Sequence, residues 1–150
     1  MAIASPDKPA PRGVTRLARR PARGGEAARL TLRIDLGEHG ALGPGKVRLL
    51  ELIDGHGSIS AAGRAMGMSY RRAWLLVDSL NQTFRDPVVS TQHGGSGGGG
   101  AALTAAGRGL VRRYRAMESA AETAAAEHLA ALAGALSERP PAPLADDVDA

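Results

Sequence analysis

Two serines, Ser58 and Ser69, each stand directly ahead of a short run of helical character, and Gly67 falls between the runs. Serine favours such positions because its hydroxyl oxygen accepts a hydrogen bond from an otherwise unpaired amide of the first helical turn. Glycine can take the backbone conformations of a tight interhelical turn without a Cβ clash. The spacing therefore predicts a helix over Ile59 to Met66, a turn at Gly67, and a second helix from Tyr70 to about Phe84. In the second helix Ala73, Val77, Leu80 and Phe84 share one face, while the small pair Ala61 and Ala62 lets the first approach closely. Two capped helices on a glycine turn form a helix-turn-helix, which fixes the centre of any fold this chain can adopt.

The flanks extend that unit. After Asp86 and Pro87, the run Val88 to Gln92 is rich in strand formers, and a second short strand, Ala101 to Leu103, follows HGGSGGGG. Together they predict a hairpin with a glycine tip. Upstream, Leu30, Leu32, Ile34 and Leu36 alternate with Thr31, Arg33 and Asp35, the period of a half-buried strand over Arg29 to Leu36. The following GEHGALGPG is expected to be loop. Pro44 then suits the first turn of a helix running to about Asp54, with Val47, Leu50 and Ile53 inward, Leu49 and Leu52 widening the stripe, and Gly55 and Gly57 ending it.

Thr104 is placed to cap a long helix reaching about Leu136. Leu110, Tyr114, Met117, Ala121, Ala125, Leu129, Leu132 and Leu136 recur along it at intervals of three or four. Such a helix would be roughly 50 Å long, further than one small domain covers. The stripe from Leu110 to Leu132 is accordingly expected to pair with a second copy of the chain; the competing reading folds the helix back on its own domain with a frayed end.

With 150 residues there is room for one domain and its flanks. Residues 1 to 33 carry eight Lys or Arg against two acids, residues 34 to 103 balance six against six, and the remainder carries five basic against seven acidic. The expected organisation is a disordered basic arm over 1–28, a folded domain over 29–103, a long helix over 104–137 and a disordered Pro-rich acidic tail over 138–150. The arm suits an anionic polymer, since each neutralised phosphate releases counterions; a solubilising tail explains it equally well. The chain contains no cysteine, which excludes disulfides and thiol chemistry and fits a reducing compartment. No apolar run reaches membrane-spanning length, and the Arg-rich start lacks a signal-peptide core, so a cytoplasmic protein with no membrane partner is expected.

In a helix-turn-helix the second helix lies in the major groove with its amino-terminal residues nearest the bases. Here that helix (69–84) opens with Ser69, Tyr70, Arg71 and Arg72. Arginine can bridge guanine O6 and N7 with two hydrogen bonds, and Ser and Tyr can reach phosphates or bases. Ser58 and Ser60, at the start of the preceding helix, are further caps or polar contacts, and Asp78, Ser79 and Gln82 are weaker candidates. Trp74 reads as a core anchor. At the hairpin tip, Gly94, Gly95, Ser96, Gly97 and Gly98 can bring exposed amides to a sugar-phosphate backbone, and His93 could touch a phosphate or face solvent. Arg108, Arg112, Arg113 and Arg115 could also meet phosphates, though a solvated helix face explains them nearly as well.

Taken together, ISAAGRAMGMSYRRAW, LNQ, the GGSGGGG tip and ALT make the stretch from Gly57 to Thr104 resemble the amino-terminal DNA-binding domain of the molybdenum-dependent ModE regulators, within the broader LysR-type winged-helix group. The similarity extends from about Leu30 through the helix after Thr104. What the resemblance implies is a homodimer on duplex DNA, on an operator with inverted half-sites, controlling molybdate uptake or molybdenum-cofactor genes. Members of that family continue into two molybdate-binding barrels, whereas residues 139 to 150, RPPAPLADDVDA, leave no room for one. Molybdate sensing is therefore expected to lie elsewhere, in a separate effector-sensing protein, or to have diverged.

Catalytic arrangements fare worse. Gly40 to Val47, GALGPGKV, nearly matches the nucleotide-binding GxxxxGK[ST] loop, but Val47 lacks the hydroxyl that would hold magnesium, which leaves Lys46 facing solvent or a phosphate. Gly95, Gly97 and Gly100 match GxGxxG without the strand and acidic partner of a dinucleotide site. His39, His56, His93 and His128 are scattered, with no carboxylates at ligand intervals. No enzyme activity, metal or cofactor is expected. The expected fold is a mainly α winged helix-turn-helix with a short amino-terminal strand, a glycine-rich hairpin wing and a long carboxy-terminal dimerisation helix. A protein-interaction adaptor that keeps the winged fold without reading DNA sequence is the alternative.

Overall fold

The computed structural model describes residues 28–92 and 99–142. The basic arm up to residue 27, the hairpin tip at 93–98 and the acidic tail from 143 lie outside the described residues. Four helices and two small antiparallel strand pairs follow in the order β1 (Ile34–Asp35), β2 (Ala41–Leu42), α1 (Pro44–His56), α2 (Ile59–Ala65), α3 (Tyr70–Thr83), β3 (Val89–Gln92), β4 (Gly100–Leu103) and α4 (Ala105–Gly134). This mostly helical arrangement is compatible with a winged helix.

The amino-terminal strand is shorter than its alternation predicts. Only Ile34 and Asp35 pair, with Leu42 and Ala41, because the chain doubles back between Gly37 and Gly40, both at positive φ. The loop expected over 37–45 thus contains a short 3-10 turn (Gly37–His39) and its own strand. The alternation still decides exposure: Leu30, Leu32, Ile34 and Leu36 are half-buried while Thr31, Arg33 and Asp35 are exposed.

Helix α1 is the centre of the core, with Val47, Leu49, Leu50 and Ile53 fully buried. It runs two residues beyond the expected end, taking in Gly55; Gly57 alone stops it, adopting a left-handed φ of 70° with its N–H bonded to the Ile53 carbonyl at 2.8 Å. Around α1 pack Leu42, Ile59, Ala62, Ala73, Val77, Leu80, Val88, Val89 and Leu103. Among the described residues no polar or charged residue is buried.

Both serine caps form. Ser58 Oγ accepts from the Ala61 N–H at 3.0 Å and Ser69 Oγ from the Arg72 N–H at 3.2 Å. Gly67 makes the turn at φ 68°. Gly63 explains the close approach of the two helices, since a Cβ there would meet the Ala73 Cβ at 2.9 Å. Trp74 packs against the core as expected but is only partly buried, and its indole N–H, though shielded, has no acceptor among the described residues.

Hairpin β3–β4 pairs Val89 with Leu103 and Gln92 with Gly100. One clasp ties it to α3: Asn81 Oδ1 accepts from the N–H groups of Val88 and Val89 at 2.9 and 3.1 Å, and Asn81 Nδ2 donates to the Val89 carbonyl at 3.1 Å. A second tie runs to the end of α1, where the Ala101 N–H donates to the Gly57 carbonyl at 2.8 Å.

Thr104 caps α4, accepting from the Gly107 N–H at 3.0 Å and donating its hydroxyl to the Pro87 carbonyl. Further along, Tyr114 is fully buried and donates to the Leu32 carbonyl at 2.7 Å, and Arg115 grips Glu51 of α1 through two bonds of 2.8 and 2.9 Å. Tyr114 therefore fills the core of its own chain and is withdrawn from the surface assigned to pairing. Beyond Tyr114 no residue of α4 is buried, and Met117, Leu132 and Leu136 are exposed. Ala121, Ala125 and Leu129 remain half-buried on the same helix, and Leu110 packs against the core.

Candidate nucleic-acid interface

The surface to consider is the start of α3. Arg71 and Tyr70 are exposed and Arg72 is half-buried. Their placement is local in origin, since the Ser69 cap fixes where the helix begins and the buried face of Ala73, Val77 and Leu80 fixes its rotation. The first turn contains no acidic residue, and neither arginine is ion-paired among the described residues. The positive end of the helix dipole and two guanidinium groups thus coincide without an internal counter-charge, an arrangement that favours an anion or a hydrogen-bond acceptor.

Tyr70 is held rather than loose. Its ring meets that of Trp74 edge to face, with centroids 6.1 Å apart, while the side chain stays 59% exposed. The phenol is thereby oriented by its neighbour and still accessible. Ser58 and Ser69 each accept one bond in capping, which leaves the hydroxyl hydrogen able to donate elsewhere. Ser60 sits half-buried in the first turn of α2.

Asp78 and Gln82, further along α3, bond to each other at 2.7 Å. His93 and Gly94 to Gly98 lie outside the described residues. The described part of the hairpin ends at Gln92 and resumes at Gly99, with Ser90, Thr91 and Gln92 exposed.

Several basic residues prove to have structural work. Lys46, expected to face solvent or a phosphate, instead turns back and donates to the Ala41 carbonyl at 2.8 Å, bracing the turn into α1. Partial burial, with Arg33 nearby, lowers its pKa. Arg108 donates to the Leu103 carbonyl at 2.8 Å, and Arg115 is shared between Glu51 and Glu118. The hydrogen bonds from Arg115 lower the Glu51 pKa below its ordinary value of 4.5, against a smaller opposing effect of burial. Arg112 and Arg113 stay exposed.

Asn81, which ties α3 to the hairpin, and the Glu51–Arg115 pair, which ties α1 to α4, were not apparent from the sequence. Asn81 stands about 15 Å along α3 from Arg71 and fixes the hairpin to the other end of the helix. The described residues hold no group of three or more His, Asp or Glu side chains able to bind a metal ion. None of their helices is long and apolar enough to cross a membrane.

No protein-family model matches the chain. Individual relatives do. It is 42% identical over 91 residues to the molybdenum transport protein ModE of Azotobacter vinelandii, covering 61% of this chain and 33% of that protein. Over 97 residues it is 43% identical to the molybdenum-pterin-binding protein MopB of Rhodobacter capsulatus, covering 64% and 36%. The chain has ModE-type homologues. Another is the DNA-binding transcriptional dual regulator ModE of Escherichia coli K12, 39% identical over 71 residues, or 47% of this chain and 27% of that one. The match thus spans about a third of the length of these ModE-type relatives or less.

Proposed function

We propose that this chain is a homodimeric, DNA-binding transcriptional regulator that reads a palindromic operator with α3 in the major groove. Arg71 and Arg72, with Tyr70 and Ser69, contact bases and adjacent phosphates, and Ser58 and Ser60 serve as phosphate contacts from α2. The β3–β4 hairpin is the wing; its tip, His93 to Gly98, lies against the sugar-phosphate backbone. The exposed part of α4 beyond Tyr114, with Met117, Ala121, Ala125, Leu129 and Leu132, pairs with a second copy. The genes controlled concern molybdate uptake or the molybdenum cofactor.

The observation carrying this reading is the capped, acid-free start of α3 with its exposed arginine. The similarity to a protein named as a DNA-binding transcriptional regulator supports it. Residues 115–134 add about 30 Å of helix without a buried residue, which supports a partner for α4.

Selection of bound duplexes from a random library by the intact chain tests the proposal. Enrichment of an inverted repeat with half-site centres about 34 Å apart, one turn of DNA, is expected. Equal recovery of all duplexes, with tight binding to another protein instead, would point to the adaptor. Mapping bound genomic sites with and without molybdate tests the link to molybdenum genes, which sites scattered among unrelated genes would refute.

A further inference from the structure

The exposed face of α3 carries Arg71, Leu75, Asp78 and Gln82 at intervals of four, three and four residues, so they line one side of the helix. Leu75 is the anomaly. It is 59% exposed and absent from the core cluster, whereas its neighbour Leu76 packs against that cluster. Among the described residues, the other large exposed aliphatic or thioether side chains, Met117, Leu132 and Leu136, all lie on or just beyond α4. Leu75 therefore belongs neither to the core nor to the long apolar stripe.

Its surroundings narrow what it can meet. Leu75 borders an open depression of about 320 Å³ whose other lining residues, Glu38, His39, Asp78, Ser79, Gln82 and Thr83, are all polar. That lining offers an apolar protein segment nothing further to bury. The carboxylates of Glu38 and Asp78 would also repel phosphate, keeping a DNA backbone away from the rear of the helix. Arg71, one turn earlier, favours the opposite end. Helical side chains lean toward the amino terminus, so Leu75 covers the strip between itself and Arg71.

On the reading of α3 as a DNA-recognition helix, we infer that Leu75 is a specificity-determining residue that packs on the C5-methyl group of a thymine in the major groove. That methyl is the apolar feature the groove offers to such a side chain. Four residues of helix advance about 6 Å, against 3.4 Å per base step, so the thymine lies about two base pairs from the one Arg71 reads.

The probe is the duplex enriched by the wild-type chain from a random library. Thymines within about two base pairs of the position most sensitive to Arg71→Ala are replaced singly by deoxyuridine, which removes the methyl and nothing else. Wild-type binding should weaken about fourfold at one of them, the effect of losing one buried methyl. Leu75→Ala should bind thymine and deoxyuridine duplexes alike, with unaltered thermal unfolding because the side chain is outside the core, and Leu75→Met should restore the difference. Indifference of the wild type to every replacement, or a ratio undiminished in Leu75→Ala, would overturn the assignment while leaving DNA reading intact. Failure of the wild type to enrich any sequence would overturn DNA reading itself, and the assignment with it.

Discussion

Asn81 ties α3 to the start of β3, and among the described residues these two elements share no other side-chain hydrogen bond. Its carboxamide satisfies two amides and a carbonyl at the entry to β3, next to the fully buried Val88. Removing it leaves those groups unpaired in a poorly hydrated place, so Asn81→Ala should cost about 2 to 3 kcal/mol in urea unfolding. Asn81→Asp keeps the two acceptor bonds but sets a carboxylate oxygen against the Val89 carbonyl, so it should recover only part of that loss. Glu51 and Arg115 form an ion pair between α1 and α4, in a partly exposed setting where such a pair contributes about 1 kcal/mol or less. Because the folded state lowers the Glu51 pKa, the stability it adds is complete above the unfolded value near 4.5 and is lost as pH falls through the lowered one. The stability difference between wild type and Glu51→Gln should hold steady from pH 7 to about pH 5 and shrink in more acid solution. A difference that instead grew with acid would contradict the pairing. Neither Asn81 nor this pair was legible in the sequence, for their partners are set by tertiary folding: Glu51 and Arg115 stand 64 residues apart.

Among the elements, the most legible were those whose signals are local. Serine and threonine ahead of α2, α3 and α4 cap the helices they precede, and Gly67 turns where a turn was expected. The amino-terminal strand was less so, because its alternation reports which side faces the core, not how far a partner extends beside it. The joint between hairpin and α4 was hidden in two glycines that look alike in sequence. A Cβ at Gly107 would come within 2.0 Å of the Val88 carbonyl oxygen, whereas at Gly109 the nearest neighbour is the flexible end of Arg112 at 3.9 Å. Gly107→Ala should therefore cost at least about 1 to 3 kcal/mol as α4 is pushed off the hairpin. Gly109→Ala should gain up to about 1 kcal/mol from helix propensity alone. Parallel thermal melts of the two variants separate close packing from mere flexibility at this joint.

For the whole molecule, the apolar repeat along α4 combines two duties that periodicity cannot distinguish. Leu110 and Tyr114 serve the core of their own chain, while Met117, Leu132 and Leu136 are left to solvent in a single copy. If pairing through the distal stretch is correct, Leu129→Asp with Leu132→Asp should convert a dimer into a folded monomer. Sedimentation equilibrium would register the change, and circular dichroism should show little loss of helix in the core. The same variant should lose most of its affinity for a two-half-site operator while retaining weak binding to a half-site, since each module keeps its own α3. Base recognition remains the central claim, and it rests on the amino-terminal turn of α3. Titrating wild type and Arg71→Ala against the selected duplex and a scrambled duplex of equal length, at one salt concentration, tests it most directly. Arg71→Ala should lose about 1 to 3 kcal/mol on the selected duplex and almost none on the scrambled one, through relaxed preference at one base pair. Equal losses on both duplexes would mean that Arg71 contacts only the backbone and that α3 does not read sequence at this point.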